Sequence, residues 1–90
     1  MNNKQKKTLE DIFKAPTLST IRWSNIESLI EGLGGKVTDG NGSRRRFELG
    51  ERAATFHSPH PRNETNKSTV EDVRDFIESV GNILEHEDDD

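Results

Sequence analysis

The amino-acid sequence predicts a small α+β domain in the order α-β-β-β-α, with the helices on one face of a three-stranded antiparallel sheet. Three observations carry this expectation. Two segments repeat apolar residues at helical spacing: Ile26, Leu29, Ile30 and Leu33 in one, and Val70, Val73, Phe76, Ile77 and Val80 in the other. Between them, "RRRFEL" and "RAATFH" flank Gly50-Glu51, and a two-residue loop that begins with glycine suits a type II′ hairpin turn. An antiparallel sheet can bury one face under helices and leave the other in water.

Each element has its own local signal. "MNNKQKK" reads as a disordered basic start. Thr8 then caps "TLEDIF", with Asp11 three residues on and Leu9, Ile12 and Phe13 on one side, until Pro16 stops the helix. One or two turns of helix are not stable alone, so this piece is expected to dock. Ser24 and Glu27 fit the capping box of the next helix, which Gly34 and Gly35 end. "GKVTDG" is a short, weak strand, followed by the hairpin. Ser68 and Glu71 form a second capping box for the closing helix, and Gly81 ends it. The expected organisation is therefore a basic extension over 1–20, a domain over 21–84 and an acidic disordered tail over 85–90.

Composition bounds the function. The chain has 90 residues, 28% hydrophobic and 33% charged. A domain of this size buries only about 60% of its unfolded-chain surface, which favours a surface site over an internal cavity. With no cysteine, neither a disulfide nor a thiolate zinc site is possible, in keeping with a reducing cytoplasm. No apolar run is long enough for a membrane span, and no signal-peptide core follows the N-terminal lysines.

The net charge of −4 conceals a basic region. Glu85, Glu87, Asp88, Asp89 and Asp90 contribute −5, and without them residues 1–84 carry +1. Residues 42–62 hold five arginines against Glu48 and Glu51, a local +3. The distribution of charge bears on polyanion binding more than its total does.

The hairpin register sorts these residues by face. With Gly50-Glu51 as the turn, Arg44 pairs with His57, Arg46 with Thr55 and Phe47 with Ala54. Alternation then puts Phe47, Leu49, Ala54 and Phe56 on the core face. Arg44, Arg46, Glu48, Thr55 and His57 share the open one. Arg45 falls on the core side, near the strand end, where its stem covers apolar surface and its charge stays wet. Guanidinium groups take phosphate oxygens bidentately, and histidine can give or take a proton. That set suits cleavage of an RNA phosphodiester with the 2′-hydroxyl as internal nucleophile. It suits equally a face that only binds phosphate, or an edge guarded by charge. His60, between Pro59 and Pro61, is rigidly posed just past the strand. His57, His60 and His86 lack a carboxylate cluster, so no metal site and no cofactor are expected.

From Trp23 to Gly81 the chain resembles the HicA family of bacterial type II toxins. The resemblance rests on "LIEGLGGKV", "GSRRRF", "TFHSPHP" and "TNKSTVEDVRDFIESVG" in that order. It implies a fold similar to a double-stranded RNA-binding domain. It also implies a toxin that cleaves mRNA and is neutralised by a HicB-like antitoxin. Many members carry a catalytic histidine directly after the Gly-Ser of the middle strand. Here Arg44 follows Gly42-Ser43, whereas the later proline-histidine pair is kept as Pro59-His60. The residues expected to carry catalysis are therefore His57 and His60. Arg44, Arg45, Arg46, Arg62 and Lys67 are the expected RNA contacts. The alternative is an RNA-binding or partner-docking protein of the same fold without nuclease activity.

Overall fold

A computed structural model describes residues 1–81. Its elements are α1 (Asn3–Ile12), α2 (Trp23–Gly32), β1 (Lys36–Asp39), β2 (Arg44–Leu49), β3 (Arg52–His57) and α3 (Lys67–Val80). The strands form one antiparallel sheet in the order β1-β2-β3. From α2 onward this is the α-β-β-β-α order the sequence predicts, with α1 added before it. No described helix is long and apolar enough to cross a membrane.

The hairpin register matches the expectation residue for residue, from Arg44 opposite His57 to Leu49 opposite Arg52. Gly50 has φ +60°, while no described non-glycine residue has a positive φ. Positive φ at the first loop position only is the type II′ signature. A Cβ at Gly50 would also come within 3.3 Å of Val80.

The core lies between the sheet and the helices. Phe47 is fully buried, with its ring 5.5 Å from Trp23 of α2 and 5.0 Å from Phe56 of β3, and Phe56 meets the edge of Phe76 on α3 at 6.0 Å. Ile26, Leu29, Ile30 and Leu33 are buried as their spacing predicts, as are Val70, Val73, Phe76 and Ile77. Val80 is only half-buried.

Three caps differ from the expectation. Residues 1–7 are not a loose start. α1 begins at Asn3 under an Asn2 cap, whose side chain accepts from the Gln5 amide at 2.8 Å while Gln5 Oε1 accepts from the Asn2 amide at 2.9 Å. Thr8 lies inside this helix, buried, with its hydroxyl donating to the Lys4 carbonyl at 3.0 Å. α2 begins one residue before Ser24, at Trp23, with Arg22 as a cap that makes no side-chain bond. Its entry is set instead by the Trp23 amide donating to Asn63 O at 2.8 Å and by an Arg22–Glu64 bridge. Glu27 accepts from Trp23 Nε1 at 2.7 Å. α3 is capped by Asn66, not Ser68: its Oδ1 accepts from both the Thr69 amide (2.9 Å) and the Ser68 hydroxyl (3.0 Å). The expected disordered tail over 85–90, and His86 within it, lie outside the described residues.

α1 docks as its length requires. Ile12 is fully buried in the common core. Gln5 Nε2 donates to the Ser28 carbonyl at 2.9 Å and to its hydroxyl at 3.1 Å. Arg74 of α3 closes the other end, donating from Nε to the Ile12 carbonyl (2.8 Å) and from Nη2 to Thr17 Oγ1 (3.0 Å) and the Lys14 carbonyl (3.3 Å). On the same helix, burial pushes the Asp11 carboxyl up, but hydrogen bonds and charge from Lys7 and Lys14 outweigh it and hold the group below its ordinary value.

Arg74→Ala strands a partly buried carbonyl and should cost about 1–3 kcal/mol. In hydrogen exchange, the amides of α1 should speed up far more than those of α2 and α3. Asp11 adds a pH dependence. Its lowered value means that the stabilisation is complete above the ordinary carboxylate range of about 4 and fades as pH falls through the folded-state value. Acid titration followed by exchange should therefore loosen α1 only below the ordinary carboxylate range, and Asp11→Asn should remove that step.

Candidate nucleic-acid interface

Alternation along β2 and β3 builds the open face. Arg44, Arg46, Ala53, Thr55 and His57 are exposed on it, beside half-buried Glu48. Glu48 lies 3.6 Å from Arg46 Nε. The Arg44 guanidinium has no carboxylate partner among the described residues. It is opposite His57 in the ladder, so an unpaired cation and an imidazole sit side by side, facing water.

The turn entering β2 is held firmly. Gly42 has φ +60°, a conformation glycine adopts without steric cost. The Ser43 carbonyl accepts from the Ser58 amide at 2.8 Å and from the Ser58 hydroxyl at 3.1 Å. The Arg44 amide donates to Asn41 O at 3.1 Å, and the Gly40 amide to Arg44 O at 2.8 Å. Ser43 Oγ lies 3.4 Å from His57 Nδ1. Neither Ser43 nor Ser58 is among the residues expected from the sequence. The signal for them was present, since running the hairpin register one residue past the Arg44–His57 pair brings 43 opposite 58.

Arg45 is not part of this face. Its Nε lies 3.2 Å from Asp39 and 3.7 Å from Glu27, and its Nη1 donates to the Arg44 carbonyl (2.8 Å) and the Gly42 carbonyl (3.2 Å). It points to the helical side and ties α2, β1 and the β2 turn together. The structure thus separates Arg45 from Arg44 and Arg46.

His60, Arg62 and Lys67 gather elsewhere. They line a cleft of about 500 Å³ with Ser19, Thr65 and Asn66, at the start of α3. His60 also lines a shallower hollow of about 430 Å³ with Gly42, Ser43 and Ser58. Ser43 is therefore within reach of His57 and lines a hollow with His60. Arginine can hold a phosphate here through two parallel hydrogen bonds, and a histidine within reach can move a proton. No group of three metal-ligating side chains occurs among the described residues.

The two arginines should separate cleanly in mutants. Arg45→Ala unties three elements and is expected to lower stability by about 1–3 kcal/mol in chemical denaturation. Arg44→Ala, an exposed change, should stay within about 0.5 kcal/mol of wild type and instead weaken polyanion binding.

The family described as HicA toxin of bacterial toxin-antitoxin matches residues 23–81, the span over which the sequence resemblance runs. No curated protein and no solved structure gives a match. The matched region holds all three strands, α2 and α3. The chain accordingly belongs to the HicA toxin family and is the toxin of a bacterial toxin–antitoxin system, with a cognate antitoxin as its partner.

Proposed function

We propose that this toxin binds mRNA on the open face of its sheet and cleaves it, and that a HicB-like antitoxin neutralises it. One observation carries the reading: Arg44, with no carboxylate partner among the described residues, stands opposite His57 on an exposed face of a family toxin. The fold then works as a double-stranded RNA-binding domain does, through phosphates and 2′-hydroxyls. The aromatic side chains support this. Trp23, Phe47, Phe56 and Phe76 are all buried, and no large hydrophobic residue is exposed among the described ones. The face therefore offers no phenylalanine, tyrosine or tryptophan platform for stacking bases.

In this mechanism Arg44 and Arg46 hold the scissile phosphate. His57 takes the 2′-hydroxyl proton as the 2′-oxygen attacks phosphorus. The P–O5′ bond breaks, and the 5′-oxygen receives a proton from protonated His60. The products are a 2′,3′-cyclic phosphate and a 5′-hydroxyl end. Arg62 and Lys67 extend the contact with the RNA backbone. Arg45 supports the turn and also lines the hollow that holds His60, from which it can reach the RNA backbone.

A second reading is favoured by a specific residue. Arg44 occupies the position where many relatives have their histidine, and arginine stays protonated in proteins. A member that binds RNA without cutting it would look the same from outside.

A labelled long mRNA incubated with purified toxin in EDTA decides between them. Cleavage to cyclic-phosphate ends is expected, with little base preference, and a single 2′-deoxy substitution should block its site. His57→Ala should lower the rate by about 10²- to 10⁴-fold, the range for loss of a general base. Steeply salt-dependent binding without any products would select the non-catalytic reading.

A further inference from the structure

Among the described residues, Ser43 is the one whose side chain lies within hydrogen-bonding distance of His57, and the proposed mechanism gives it no role. Its Oγ approaches Nδ1, the ring nitrogen nearer the backbone, at 3.4 Å. The backbone that carries Ser43 is fixed on both flanks. Ser58 gives two hydrogen bonds to its carbonyl, and Arg45 holds the Gly42 carbonyl while itself anchored by Asp39 and Glu27. A hydroxyl held this way is a defined partner for one ring nitrogen. Which nitrogen of a histidine bears the proton is set by the hydrogen bond the other makes.

We infer that Ser43 is a positioning residue, accepting a hydrogen bond from His57 Nδ1–H so that the Nε2 lone pair is presented to the open face. The direction of this bond rests on the ribonuclease reading, because a base must offer a lone pair where the 2′-hydroxyl arrives. The hydroxyl has two acceptor lone pairs and a rotatable proton, so it can take this role without disturbing the turn. Ser43 itself touches no reacting atom. Its effect passes through the imidazole, and in the catalytic cycle it also stabilises the imidazolium formed when Nε2 takes the proton, since Nδ1–H still has its acceptor.

The test reads the ring directly. In ¹⁵N NMR of the full chain, neutral His57 should give a protonated-type signal for Nδ1 and an unprotonated-type signal for Nε2. Ser43→Ala should shift the population towards the opposite tautomer, and Ser43→Thr, which keeps the hydroxyl, should restore the wild-type pattern. The amide spectrum reports that all three proteins are folded. In cleavage, Ser43→Ala should lower kcat by roughly 10- to 100-fold, as loss of a partner that orients a histidine does at metal sites. KM should change little, because Arg44 and Arg46 remain. An Nε2–H tautomer in the wild type, or a tautomer indifferent to Ser43→Ala, overturns the inference. Absence of cleavage by a wild type with the Nδ1–H signature leaves Ser43 in this role and removes the ribonuclease reading instead.

Discussion

Phe47 sits in the middle of β2 with no exposed surface, stacked on Trp23 at 5.5 Å and against Phe56 at 5.0 Å. Because side chains alternate with a period of two, that single placement decides where its neighbours go. A slip of one residue would expose a phenylalanine worth about 1.5–3 kcal/mol of burial. It would also drive Arg46 into the core, where an unpaired charge is far more costly. The open face with Arg44 and Arg46 is thus a consequence of core packing. The basic surface and the apolar core are two sides of one alternation.

Arg45 is the exception that this alternation forces. It falls on the core side between two outward arginines, so the fold has to satisfy a cation there. It does so with Asp39 from the paired strand, Glu27 from α2, the Gly42 carbonyl of the preceding turn and the Arg44 carbonyl. Glu27 in turn accepts from Trp23, whose ring stacks on Phe47. The same chain of contacts therefore runs from the core to the turn that presents Ser43. A charge on the wrong face has become the tie that holds the turn entering β2.

What was legible in the sequence follows from how local each signal is. The hairpin register could be read from Gly50-Glu51 and two strands alone, because turn type and alternation are properties of adjacent residues. The helix starts could not, because the determinants of α2 are distant and those of α3 compete locally. Asn63 and Glu64 fix the entry of α2 at Trp23 from forty residues away, and a competing Asn66 lies just ahead of Ser68. The first turns of α1 escaped detection because part of its buried stripe is polar. Gln5 and Thr8 occupy inward positions and bond to Ser28 and Lys4, so no apolar period marks the first two turns. The candidate site divides the same way. Arg44, Arg46 and His57 come together by register, whereas the separation of Arg45 depends on Glu27, a residue of another element.

The exchange at Arg44 has a geometric consequence. Paired residues in an antiparallel ladder have Cα atoms about 4.5–5.5 Å apart. A base carried on β3 at His57, in place of one on β2 at position 44, keeps its face but moves by that distance. An RNA served by His57 therefore sits nearer β3 than one served by a base at position 44. In the proposed mechanism the phosphate lies between Arg44 and His57, displaced towards β3 and the Pro59-His60 segment, where His60 lines the hollow beside Ser43. The departure from the family pattern then lies in the pose of the RNA on a common fold. In the proposed mechanism Arg44 is part of that pose, because the residue at the histidine's position would supply the cation that draws the phosphate across the ladder.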